Sequence, residues 1–226
     1  MGLYILLTIP PLLLGLWAQR RVKSAYEKWS RCANARHLTG AQAAAEMLRR
    51  ENVNDVRVEQ VGGMLSDHYD PSAKVLRLSD GVYGAASVAA LGIACHEAGH
   101  ALQHARGYAY LGLRSALVMP AKFGSYLAIP LIMFGMLIGA FGLAKLGVVI
   151  FGAVVLFQLV TLPVEFDASR RAKAALVNNG VINAPERAGV NEVLDAAAMT
   201  YVAAAVAAIS QLLYYALILA GNRRSN

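Results

Sequence analysis

From Leu117 to Val164 the only charged side chains are Lys122 and Lys145, set in long runs of Leu, Ile, Val, Phe, Ala and Gly. About 20 apolar residues make a helix long enough to cross a bilayer. Two such segments fit here, Leu117–Leu143 and Leu146–Val164, joined at Ala144-Lys145 as an antiparallel hairpin. Gly2–Ala18 is a third, at the short end for a span, with Pro10-Pro11 expected to kink it. Ala196–Ala220 is a fourth, long enough to cross with tilt; its alternative is a re-entrant or membrane-surface helix. Composition agrees. Charged residues are 15% of the chain and mean hydropathy is +0.46, against about 25% charged in soluble domains. The expected fold is a mainly α integral membrane protein with about four transmembrane helices. Its polar stretches are interleaved with the spans, so a single membrane-embedded domain is expected over 1–226.

The net charge of +7 has a pattern. Eight of the 21 Lys and Arg lie between Arg20 and Arg50, after the first span, and four between Arg170 and Arg187, after the third. Cations flanking spans are expected on the cytoplasmic side, so the partner they indicate is the lipid bilayer and not nucleic acid. The first apolar segment precedes its cations, the reverse of a secretory signal peptide. It reads as an uncleaved anchor with its N-terminus outside. Residues 20–114 and 165–195 then face the cytoplasm of a multi-pass membrane protein, and Arg223-Arg224 falls outside, against the bias.

The polar stretches have texture of their own. Thr39-Gly40-Ala41-Gln42 fits a capping box, with a helix over Ala43–Arg50. Val56–Gln60 and Val75–Leu78 alternate and predict a small β-hairpin or edge ribbon, with Asp67–Pro71 as a turn. Val82–Ala105 predicts a helix too short in its apolar part to cross a bilayer. Cys32 and Cys95 suit free thiols with packing roles.

That helix carries His96-Glu97-Ala98-Gly99-His100. Residues four apart share a helix face, so both imidazoles can close on one Zn²⁺ while Glu97 serves as base to a water. Catalytic zinc takes three protein ligands. His104 would lie about 12 Å along the axis from His96, too far on an unbroken helix, and suits a contact to a ligand or a cap. Glu165 is the better third ligand. Carboxylates at membrane segments are rare and functional, and the hairpin of spans returns Glu165 to the side from which the chain left. Asp167 could ligate instead of Glu165, but two residues away it better suits orienting a ligand His through its other ring nitrogen. His68 is a further candidate as ligand or oxyanion donor. His37 is assigned no role.

Ala94–His104, with Leu162-Pro163-Val164-Glu165-Phe166-Asp167-Ala168-Ser169 downstream, resembles the YugP-like neutral zinc metallopeptidases, predicted bacterial membrane proteases. The likeness extends over nearly the whole chain, including Asp67–Pro71 and Asn191–Ala204. A more distant likeness is to HtpX-type and CAAX prenyl proteases, gluzincins in which two membrane helices separate H-E-x-x-H from a Glu ligand. In those families an Asp usually stands four residues after that Glu; here the position is Ser169, and the acid is Asp167. The resemblance implies a zincin-like catalytic region, one catalytic Zn²⁺ and a polypeptide substrate. Glu97 would be general base, with His68, Arg170, Arg171 or Tyr201 as oxyanion donor. The ribbon at Val75–Leu78 could add an extended peptide as a strand. Rival readings are an intramembrane site-2-type protease and a membrane scaffold with a structural zinc. Small residues at Ala203–Ala205 and Ala207-Ala208 would allow close helix packing, within a chain or in a homo-oligomer.

Overall fold

Four helices of the computed structural model are long and apolar enough to cross a membrane. The structure describes residues 2–63 and 65–222. In chain order these form α1 (Gly2–Ser30), α2 (Gly40–Arg50), β1 (Arg57–Val61), β2 (His68–Asp70), β3 (Val75–Ser79), α3 (Asp80–Tyr83), α4 (Val88–Ala105), α5 (Ala109–Leu137), α6 (Phe141–Asn178) and α7 (Ala184–Asn222). The four candidate spans are α1, α5, α6 and α7; α1, α6 and α7 outrun the apolar segments that announce them, whereas α5 starts before Leu117 and ends at Leu137, short of the expected Leu143. The chain continues as helix through Pro10-Pro11 in α1 and runs unbroken along α7. The Arg223-Arg224 tail lies outside the described residues.

The described residues group into two compact units. The apolar unit takes α1 as far as Ala18, Gly112–Pro163, and α7 from Thr200. Large apolar side chains point outward, among them Leu13, Phe123, Phe134, Leu137 and Val149, as a lipid-facing surface requires. Small residues hold the inside: Ala128, Ala144, Ala203, Ala205 and Ala208 are buried, so part of the alanine-rich stretch of α7 is used within the chain. Ser125 and Thr161 donate their hydroxyl protons to the carbonyls of Ala121 and Phe157 one turn back, which satisfies them without water.

The turn of the α5–α6 hairpin falls at 138–140, earlier than the expected Ala144-Lys145. Gly139 supplies the left-handed backbone (φ 71°) that ends α5. Ala144 is instead packed inside the hairpin, where a side chain on Gly135 would lie 2.5 Å from its amide nitrogen. A Cβ on Gly147 would lie 2.7 Å from the Ile132 side chain and 2.8 Å from the Ala128 carbonyl. These glycines let the two helices touch backbone to backbone.

The second unit comprises Gln19–Leu111 and Val164–Met199. Its centre is α4, enclosed by Ala43, Ala44, Met47 and Leu48 of α2, Leu76 and Leu78 of β3, Ala172 and Leu176 of α6, and Val190 and Leu194 of α7. Thr39 forms the expected capping box with Gln42. The motif helix begins later than expected, because Ser87 caps it: its hydroxyl accepts from the Ala90 N–H.

The sheet has the order β1-β3-β2. The expected hairpin of the two alternating segments is not formed, since β1 and β3 pair in parallel, Arg57 opposite Val75 and Val61 opposite Ser79. Parallel neighbours need a crossover of about a dozen residues, and the connection between β1 and β3 supplies it. It carries β2, formed from residues expected as a turn, which pairs antiparallel with β3. With β3 flanked on both sides, strand addition at Val75–Leu78 is not available; the sheet edges are β1 and β2.

Packing in the hairpin sets an unequal tolerance of two glycines. Overpacking costs about 1–3 kcal/mol, so Gly147→Leu should lower the thermal unfolding midpoint in detergent. Gly152→Leu, where a Cβ meets nothing within 4 Å, should leave it near wild type. Equal melting of the two variants would contradict the packing.

Candidate metal centre

On α4 the His96 and His100 rings meet edge to face, centroids 4.9 Å apart and planes at 83°. Cys95, beside His96, is fully buried. Burial pushes its thiol pKa up to about 12, so it stays neutral and makes a poor metal ligand.

The third group arrives from α6, and Gly99 admits it. A Cβ at Gly99 would stand 2.6 Å from the Ala168 carbonyl oxygen and 3.1 Å from the Ala168 Cα. No side chain fits there. Glycine in a helix interior costs about 0.5–1 kcal/mol relative to Ala; here it permits the contact that places α6 against the motif. Glu165, one turn before Ala168, brings Oε2 to 3.2 Å from His96 Nε2 and 3.6 Å from His100 Nε2. Glu165 is 2% exposed.

These three donor atoms lie within 4.8 Å of one another. Around a tetrahedral zinc with bonds of about 2.0–2.2 Å, neighbouring ligand atoms are roughly 3.4 Å apart. The two Glu165 distances bracket that value. Two imidazoles and a carboxylate are also a donor set that zinc accepts, so the residues present fit the ion.

The outer ring nitrogens are occupied. His96 Nδ1 lies 3.0 Å from Ser169 Oγ, and His100 Nδ1 lies 3.0 Å from Gln103 Oε1. Each Nε2 is thereby left facing Glu165. Burial alone would lower the pKa of His100, but the Glu165 contact and the charges of Glu97 and Glu165 outweigh it and raise the pKa. The site thus favours positive charge. Glu97, half-buried, follows His96 directly.

The other sequence candidates have partners of their own. Asp167 is buried but touches neither imidazole; it accepts from Gln103, Arg170 and Arg171. His104 is exposed, with Nδ1 2.8 Å from the Tyr69 hydroxyl on β2. Burial and the nearby Asp55 and Asp70 push the Tyr69 pKa up to about 12, so its hydroxyl stays protonated. His68 is exposed on β2, its Nδ1 2.7 Å from the Ser66 carbonyl and its Nε2 3.4 Å from Arg77 Nη1. Tyr201 is half-buried on α7. Sequence reasoning missed the contacts of Gly99, Gln103 and Ser169. Gln103 follows His100 by three positions, hence on its face, and a glycine inside a helix is a signal of close backbone approach.

Gly99→Ala tests the approach of the two helices. Overpacking of about 1–3 kcal/mol relieved by separating α4 from α6 would act on the site, and each 1.4 kcal/mol weakens binding about tenfold. Zinc affinity, measured by chelator competition, should fall while helix content is retained. Unchanged affinity would show that the contact does not set the site.

A family described as "Putative neutral zinc metallopeptidase" matches residues 4–220. The curated protein "Putative membrane protease YugP" of Bacillus subtilis (strain 168) is 47% identical over 224 residues, covering 99% of this chain and 100% of that protein. No solved structure matches the chain. With nearly its full length matched, the chain belongs to the family described as "Putative neutral zinc metallopeptidase", and it gathers two histidines and a glutamate where one zinc ion fits.

Proposed function

We propose that this protein is a gluzincin-like membrane endopeptidase, hydrolysing peptide bonds of membrane or membrane-associated proteins with one zinc ion held by His96, His100 and Glu165. The observation that carries the reading is the convergence of Glu165 Oε2 on both imidazoles, at 3.2 and 3.6 Å. When bound, zinc lowers the pKa of water from 15.7 toward about 7 and polarises a carbonyl. Glu97 takes the proton of the attacking water as general base and returns it to the leaving amine. His96 and His100 present Nε2 because Ser169 and Gln103 occupy their Nδ1 atoms. Arg170 and Arg171 are the cations nearest in sequence to the third ligand, and either can serve a developing oxyanion.

The single-domain reading accommodates this, since the third ligand follows the hairpin of spans directly. The cation bias supports a site on the cytoplasmic side of a bacterial inner membrane. An intramembrane site-2-type protease would carry the motif within a span, whereas α4 is not among the four helices able to cross. A structural zinc would take four ligands; among the described residues the group of His, Cys, Asp and Glu ends at three.

Two substitutions test the assignment on purified full-length protein. Glu97→Gln should retain zinc and lose about 10²–10⁴-fold in the rate of cleavage of an unfolded or membrane-protein substrate; cleavage at the wild-type rate would remove Glu97 as base. Glu165→Ala should lose zinc at low free metal, and full retention would sink the ligand assignment. Zinc-loaded wild type that cleaves no polypeptide would favour the scaffold reading.

A further inference from the structure

Gln103 is 0% exposed, although its side chain is a primary amide. A buried amide without partners costs free energy, and here every polar atom is used. Nε2 lies 2.8 Å from the Val164 carbonyl oxygen and 2.9 Å from Asp167 Oδ2. Both partners are acceptors only, so the NH₂ group must face them and the amide cannot be turned over. Oε1 is left facing His100 Nδ1 at 3.0 Å. Since Oε1 can only accept, His100 Nδ1 must carry the proton, and Nε2 is the ring nitrogen left facing Glu165, 3.6 Å from Oε2.

The far side of the network is also fixed. Asp167 Oδ2 accepts from Arg171 Nε at 2.5 Å, and Oδ1 accepts from Arg170. The Arg171 guanidinium lies 5.7 Å from the centre of the Tyr108 ring. The Tyr108 backbone N–H in turn donates to the Gln103 carbonyl at 2.9 Å. The network therefore starts and ends on Gln103.

We propose that Gln103 is a positioning residue that fixes the tautomer and plane of His100, and that Asp167 acts on the metal site through Gln103 without touching an imidazole. This rests on the reading that His96, His100 and Glu165 hold zinc. The competing role for Gln103 is a simple tie between α4 and α6. The two differ in what reversing the polarity of the Gln103–Asp167 pair does to metal binding.

Zinc affinity by chelator competition, the Co²⁺ absorption spectrum and thermal melting would be measured on the full chain in detergent. Gln103→Glu sets a carboxylate against two acceptors and should weaken zinc about 10–100-fold, the range for groups that orient a ligand. Adding Asp167→Asn restores a donor opposite Glu and keeps the summed formal charge of the pair. The double variant should recover most of the lost affinity and the wild-type Co²⁺ spectrum. A folded Gln103→Glu that binds zinc as wild type does would overturn the proposal, as would a double variant that binds no better than the single one. If the single variant does not fold but the double one folds and binds, the pairing stands; if neither folds, Gln103 is the tie and the proposal fails. The zinc reading fails separately, if wild type takes up no zinc or if His96→Ala binds it undiminished.

Discussion

The backbone of α4 touches the backbone of α6 at Gly99 and Ala168, and the rest of the site hangs on that contact. The 2.6 Å separation of a virtual Cβ from the Ala168 carbonyl leaves room for hydrogen only. From that point the geometry propagates by helical periodicity. Glu165 stands one turn before Ala168 and meets both imidazoles. Ser169 follows Ala168 and meets the outer nitrogen of His96. Gln103, one turn beyond Gly99, reaches Val164 and Asp167 on α6 and His100 on its own helix. One close approach therefore sets the distances from Glu165 to both imidazoles and the orientation of both rings.

Charge is partitioned along the chain with the same economy. Residues 2–18, 112–163 and 200–226 contain no Asp or Glu. Carboxylates inside a bilayer are costly, and the chain keeps all of them in the stretches between. After Glu97 the next acid in sequence is Glu165. The hairpin α5–α6 separates the two, yet the fold returns the second to the first within hydrogen-bond reach of the histidines. Folding of the hairpin and completion of the metal site are linked by chain order.

Much of this was legible in the residues. The spans follow from composition, because lipid accepts little else. The pairing of His96 with His100 follows from helical spacing, and the approach of Glu165 to them follows from its place after the hairpin of spans. Other features left weaker marks. The expected turn at Ala144-Lys145 rests on the one charge that interrupts the apolar run, whereas the left-handed conformation at Gly139 decides the matter. The sheet was misread because parallel pairing of β1 with β3 depends on a crossover through β2, and alternation alone does not distinguish parallel from antiparallel partners. Asp167 was expected on an imidazole; it is one residue removed, because Gln103 fills the space between. Ser169, where the distant likeness leads one to expect an acid, brings its hydroxyl to the outer nitrogen of His96.

The central claim is that one zinc ion is shared by two side chains of α4 and one of α6. X-ray absorption at the zinc edge of the purified, zinc-loaded protein tests it most directly. The expected spectrum has nitrogen and oxygen neighbours at about 2.0–2.2 Å and no sulfur at about 2.3 Å, with outer-shell scattering from two imidazoles. A sulfur shell, or a spectrum with three or more imidazoles, would contradict the site described above.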